Sequence, residues 1–326
     1  MPSAVVLARE RISVPPEVLP PSVDVKDWWV EKPEIGPWAK RFFKEYVGIT
    51  DQDELAKHLC SIRELAWDVF HYRCIASLLF VNYNLSEAYG TEWYYDVLQR
   101  LKKGDKVLDV GCAFGQIARN FVFDGAPAEN VWSMDLREAF WDLGYDMYKD
   151  RDTFKTPFFE GDISDHEFMK EYDGKFDFIH AASFFHIFNL ESQYKVVQRM
   201  TKLLSSKPGS VIFGRQVGCS VPRHFSSHPI RLGKGLYMHS VQSFTDMFED
   251  AAPGKWDIQA WLTTRNPRPE SKEKGRPGRL RFIITRLESD EVDVTGGDGD
   301  VSNLEKQLEE TVISDLGDNV GAAKTA

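Results

Sequence analysis

Residues 107–119 read VLDVGCAFGQIAR. A short apolar run carrying one acid, Asp109, breaks at Gly111, and a second glycine follows at Gly115 before a helical pattern resumes. Such a run bounded by glycine reads as a buried strand feeding a helix, and the glycines let a ligand approach the main chain. A phosphate, a nucleoside or a bare strand-to-helix turn would each suit it. The dinucleotide fingerprint G-x-G-x-x-G needs its glycines closer together, so that a pyrophosphate meets the helix start. Here the spacing is Gly111-x-x-x-Gly115, and no Lys-Ser/Thr pair follows, so a nucleotide P-loop fails as well.

Downstream, apolar runs alternate with amphipathic segments. The pattern predicts strands at 106–110, 131–135, 157–160, 176–181 and 210–215, with helices near 115–124, 138–149, 165–171 and 190–204. This alternation is that of βαβ units around a parallel sheet. A helix within HSVQSFTDMFEDA (239–251) and two last strands, WDIQAWLTT and LRFIITRL, would add a reversed edge. Upstream, Leu55, Leu59, Ile62, Ala66 and Val69 recur at helical spacing, with Thr50 or Asp51 as N-cap.

Two further acids fall in register with Asp109. Asp135 ends VWSMD, where an acid at a strand tip can accept both hydroxyls of a ribose. Asp162 follows a glycine at the end of FFEGD. Each alone reads equally well as a helix N-cap or turn residue. Three together, each at the C-terminal end of a predicted strand, are hard to get by accident.

The D-x-G-x-x-x-G turn and the acids after it resemble those of the class I, Rossmann-like methyltransferases that use S-adenosylmethionine. The resemblance implies an α/β sheet, mostly parallel with its last strand reversed, behind an N-terminal helical cap. It places Asp109 near the methionine amino group, with Gly111, Cys112, Phe114, Gly115 and Gln116 around the donor. It puts Asp135 and Leu136 at the ribose, Asp162 on the adenine amino group, Ile163 on the ring, and Ala181 and Ser183 beside the reactive methyl. A narrower similarity runs through residues 28–250. DVGCAFG, DGAP and F-x-x-LGY within 109–152, and YRCIASLLFVN before them, resemble fungal O-methyltransferases of secondary metabolism, including enzymes that form methyl esters on meroterpenoid acids. Ala113, where members commonly carry a second cysteine, and GQIAR in place of GQDLR depart from that pattern. Both departures lie in the cofactor turn.

A hydrophobic small-molecule acceptor is therefore expected, with a carboxylic acid favoured by the resemblance. A carboxylate needs only an orienting cation, ideally an arginine fork, whereas a phenol or amine profits from a base. His186 in FFHIF, with Arg215 and His224 in the glycine-, serine- and histidine-rich stretch 214–235, read as a loop after the fifth strand, are the candidate catalytic groups. Arg73, Trp93, Tyr94 and Arg223 are the candidates for acceptor binding. A catalytically silent regulator built on the same fold is the rival of another class, and it would have no use for the three acids.

The 326 residues carry a net charge of −10, but from Glu288 onward 11 acids face only Lys306 and Lys324. The tail thus holds −9 and the rest −1, which gives no basic stripe for nucleic acid. Four scattered cysteines without C-x-x-C spacing argue against disulfides and zinc and for a reducing compartment, read as cytoplasmic. No metal and no membrane span are expected. The aromatics of the leader permit a homodimer without requiring it. The expected organisation is an extended segment 1–25, a helical cap 26–101, the cofactor-binding domain 102–287, and a disordered acidic tail 288–326.

Overall fold

The computed structural model describes residues 28–225, 235–263 and 277–288. The expected extended segment 1–25 and, from residue 289, the expected acidic tail lie outside the described residues. The leader breaks into α1 (Pro37–Phe42), α2 (Gln52–Val69), α3 (Arg73–Ala76), α4 (Leu85–Tyr89) and α5 (Thr91–Lys102). Asp51 caps α2 by accepting from the backbone N–H groups of Asp53 and Glu54 at 3.0 and 2.8 Å. That satisfies two of the donors a helix start leaves open. The apolar stripe of α2 then closes a core with Phe42, Phe43 and Phe140.

The sheet comprises β1 (Val107–Val110), β2 (Val131–Asp135), β3 (Phe158–Glu160), β4 (Phe178–Ala182), β5 (Val211–Cys219), β8 (Trp256–Thr263) and β9 (Pro277–Arg286), in the order β3-β2-β1-β4-β5-β9-β8. The strands from β3 to β5 pair in parallel. β9 enters antiparallel between β5 and β8, which is the expected reversal. The crossover helices are α6 (Gln116–Phe123), α7 (Glu138–Tyr148), α8 (Leu190–Leu203) and α9 (Val241–Ala251). A small ladder, β6 (Arg223–Phe225) with β7 (Leu236–Met238), stands apart from the sheet.

Two expectations change. The helix expected near 165–171 is a series of turns ending in a 3-10 turn, Lys170–Tyr172. Asp162 draws in the Ser164 N–H and hydroxyl at 2.9 and 2.8 Å, Asp165 takes the Glu167 N–H at 3.0 Å, and Met169 is left-handed at φ 57°. Short polar side chains that bond their own backbone compete with helix in this way. Secondly, GRQVGC (214–219) is not loop but the outer half of β5. Its glycines are there for space: a Cβ at Gly214 would stand 2.0 Å from the Ala181 carbonyl oxygen. Glycine in a strand often marks such an approach rather than a break.

Candidate active site

The three acids meet along the C-terminal edge of the sheet. Asp109 sits in β1, Asp135 ends β2, and Asp162 lies two residues beyond β3. The turn after β1 is held by β2, because the N–H groups of Gly111 and Cys112 both donate to the Met134 carbonyl, at 3.0 and 3.1 Å. Gly111 adopts φ 67°, and a Cβ there would lie 2.5 Å from the Phe184 ring that follows β4. Gly115 is left-handed as well, at φ 65°. Beneath the turn, Arg119 is fully buried and grips Asp150 through two bonds of 2.6 and 2.9 Å. Its Nη1 donates to the carbonyls of Phe114 and Gly115 at 2.7 and 3.3 Å. The turn is therefore rigid before any ligand arrives.

Asp135 faces that turn and accepts from Ala113 N–H at 2.8 Å and Arg137 N–H at 3.0 Å. Burial of its carboxyl raises the pKa from 3.8 to about 6, against the pull of those two N–H groups. Asp109 bonds His180 Nδ1 through Oδ1 at 2.7 Å, while its Oδ2 is buried with no partner. Asp162 is exposed and held in its turn by Ser164. Leu136, beside Asp135, is 51% exposed. An orphaned carboxylate oxygen, a braced carboxylate and an exposed leucine in sequence along one edge fit an ammonium, a ribose and an adenine. The donor set thus suits S-adenosylmethionine.

The other residues expected around the donor each have partners within the protein. Phe114 stacks on Phe80 of the leader with centroids 4.8 Å apart. Gln116 donates to the Tyr83 carbonyl at 2.8 Å. Cys112, Ile163 and Ala181 are buried in the core clusters, and the Cys112 thiol is raised far up by that burial. Ser183 is left-handed at φ 56° and donates its N–H to the Arg215 carbonyl at 2.6 Å.

On the leader side of the sheet the acceptor candidates separate. Arg215, level with Ala182 at the end of β4, lays its guanidinium carbon 3.4 Å above the Tyr83 ring centroid. Its Nε is buried without a hydrogen bond, and no described carboxylate pairs with it. Burial first, then the guanidiniums of Arg279 and Arg281, bring its pKa from 12.5 down to about 10. Arg281 stands opposite Arg215 in the β5–β9 register. Tyr89 and Trp261 lie edge to face at 6.2 Å nearby. The half-buried Cys74 of α3 feels both Arg215 and Arg279, and burial raises its thiol.

Trp93 packs on Phe213 at 4.9 Å, one step deeper on the same strand face. Tyr94 turns toward α6, stacked on Phe121 with its hydroxyl on Asp124 at 2.7 Å, and so does not join Arg215. Arg73 is exposed at the start of α3, and Arg223 and His224 are exposed on β6. His186 is half-buried in the 3-10 turn Phe185–Ile187 after β4. Sequence reasoning missed Tyr83, His180 and Arg281, which sit in ordinary apolar or alternating contexts. Among the described residues no group of three or more His, Cys, Asp or Glu could hold a metal ion, and no helix is long and apolar enough to cross a membrane.

The chain is similar to known methyltransferases. Residues 28–81 match the family described as meroterpenoid methyltransferase N-terminal domain, and residues 107–207 match the methyltransferase domain family. The O-methyltransferase atr3 of Stereocaulon alpinum is 35% identical over 267 residues, covering 80% of this chain and 76% of the relative. The O-methyltransferase phiE of a fungal species is 33% identical over 69% of this chain and 74% of its own length. The asnovolin E/chermesin D methyltransferase nvfJ of Aspergillus novofumigatus is 30% identical over 76% of this chain and 88% of its own.

Proposed function

Because the chain belongs to the S-adenosylmethionine-dependent methyltransferases of the fungal meroterpenoid type, we propose that it methylates a carboxyl oxygen of a hydrophobic small acid of secondary metabolism. The single observation that carries the acceptor class is Arg215. A half-buried guanidinium, with a shielded Nε and no described carboxylate against it, is costly to fold unless an anion completes it. Tyr83 beneath, with Tyr89 and Trp261 nearby, supplies the apolar surroundings in which one charge-assisted fork fixes an acid's orientation.

The donor brings its activated methyl on a sulfonium. Asp109 Oδ2 would take the ammonium, the Asp135 carboxylate the ribose hydroxyls, and Leu136 the adenine face. Asp162, exposed at the edge, would take the adenine amino group. The protein's work is then to hold the nucleophile in line, about 3 Å from the methyl carbon, and to keep water out. Arg215 orients the carboxylate, which is already ionised at neutral pH and needs no base. His186, on the turn after β4, would serve as base for a phenol instead.

The test is methyl transfer from S-adenosylmethionine to matched hydrophobic acids and phenols. Base-labile methyl esters from the acids, at least a hundredfold loss in Arg215→Leu and little change in His186→Ala are expected. Phenol ethers only, with turnover lost in His186→Ala, would replace the carboxylate reading.

A further inference from the structure

Behind the glycine turn runs a hydrogen-bonded chain that neither strand pairing nor core packing requires. The Tyr83 hydroxyl meets His180 Nε2 at 3.0 Å, and His180 Nδ1 meets Asp109 Oδ1 at 2.7 Å. All three side chains are buried, with relative exposures of 6%, 0% and 3%. Asp109 only accepts, so the proton on this side belongs to His180 Nδ1, which leaves Nε2 to accept from Tyr83. Burial raises the Tyr83 phenol above its ordinary value, so the hydroxyl keeps the proton it donates. The Tyr83 ring is itself pinned, since its carbonyl takes Gln116 Nε2 at 2.8 Å and Arg215 covers its face.

The chain is costly as packing. An apolar residue at 180 would keep the β1–β4 register of Asp109 and His180 and would still rest on Phe213, whose ring lies 4.9 Å from the imidazole. What it would not supply is a donor for Oδ1. Without that bond the carboxylate turns about its last torsion. With it, Oδ2 has one direction, and Oδ2 is the buried oxygen with no partner. We propose that His180, fixed by Tyr83, is a positioning residue for the methyl donor: it aims the free oxygen of Asp109 at the ammonium of the donor's amino-acid end. The proposal rests on the donor-binding role of Asp109.

The experiment compares two ligands by calorimetry. S-adenosylhomocysteine carries the ammonium; 5′-methylthioadenosine keeps the nucleoside and the sulfur but lacks the amino-acid end. In His180→Leu, S-adenosylhomocysteine should weaken at least tenfold, about 1.4 kcal/mol, while 5′-methylthioadenosine changes less than twofold. His180→Asn, whose amide can still donate to Oδ1, should recover most of the loss. Tyr83→Phe keeps the ring under Arg215 and removes only the hydroxyl. It should lose about threefold for S-adenosylhomocysteine alone, and it decides the matter if His180→Leu fails to fold. Equal losses for both ligands, or none for either, overturn the proposal. If the wild type binds neither ligand, the donor reading itself falls, which is a separate result.

Discussion

Replacing Asp135 with asparagine should make the ligand-free protein more stable at neutral pH while it cripples donor binding. The carboxyl titrates near 6 rather than 3.8 because it is held in a poorly solvated turn. At about 1.4 kcal/mol per pH unit, ionising it in the folded state costs roughly 3 kcal/mol at pH 7 as an upper bound. The side chain still reaches some solvent, which trims that figure. Asparagine also offers one acceptor where the N–H groups of Ala113 and Arg137 use two, a loss of about 1 kcal/mol. A net gain of about 1 kcal/mol remains, or roughly 2–4 °C in Tm. The sign follows from proton binding. The folded carboxyl holds its proton up to about pH 6 and the unfolded one only to about 4, so wild-type stability falls as pH rises between those values. The difference between Asp135→Asn and wild type must therefore grow across that window and be flat above it. Urea denaturation followed by tryptophan fluorescence from pH 4 to 7.5, without ligand, measures it. A stability difference that does not change between pH 4 and 7.5 would refute the reasoning. In the same preparation S-adenosylhomocysteine should bind at least tenfold more weakly, about 1.4 kcal/mol.

Breaking the Arg119–Asp150 pair from one side should cost about 3–5 kcal/mol, because the partner is left charged and buried; chemical denaturation of Asp150→Asn checks it, and a loss under 1 kcal/mol would contradict the reading of the pair as the brace of the turn. Gly111→Ala forces Phe184 aside at a left-handed backbone position, so S-adenosylhomocysteine affinity should drop about tenfold or more, and Phe184→Ala in the same chain should restore part of it. Arg215→Leu removes a guanidinium that burial and its arginine neighbours oppose, so Tm should hold or rise while turnover falls; a fall in Tm of several degrees would make Arg215 a structural residue instead.

Most of the sheet is legible in the residues because buried parallel strands are short apolar runs ended by an acid or glycine, and that chemistry is local. The exceptions have local causes too. GRQVGC looks like a loop by its two glycines, yet those glycines answer to Ala181 and Leu280 on neighbouring strands, which the sequence alone does not bring together. The turns at 162–169 carry a helical apolar spacing that Asp162 and Asp165 overrule by bonding their own backbone. The three acids are readable because each falls at or near the C-terminal end of a strand. Arg281 and His180 are not, since each matters through a residue far away in the chain: Arg215 in one case, Asp109 and Tyr83 in the other.

The leader and the glycine turn form one built unit. Phe114 and Gln116 belong to the turn by sequence, yet one stacks on Phe80 and the other bonds the Tyr83 carbonyl. Tyr83 in turn carries Arg215 on its ring and His180 on its hydroxyl. The same tyrosine therefore touches the group expected to orient the acceptor and the chain that leads to Asp109, the acid proposed to hold the donor. A leader that shifts by an ångström moves both. Enzymes that join two substrates in line tolerate little such error, so the helical cap is best understood as part of the reaction geometry rather than as a cover over it. An acceptor oriented by Arg215 would meet it only while Tyr83 is in place, and Tyr83 is held by Gln116 of the glycine turn.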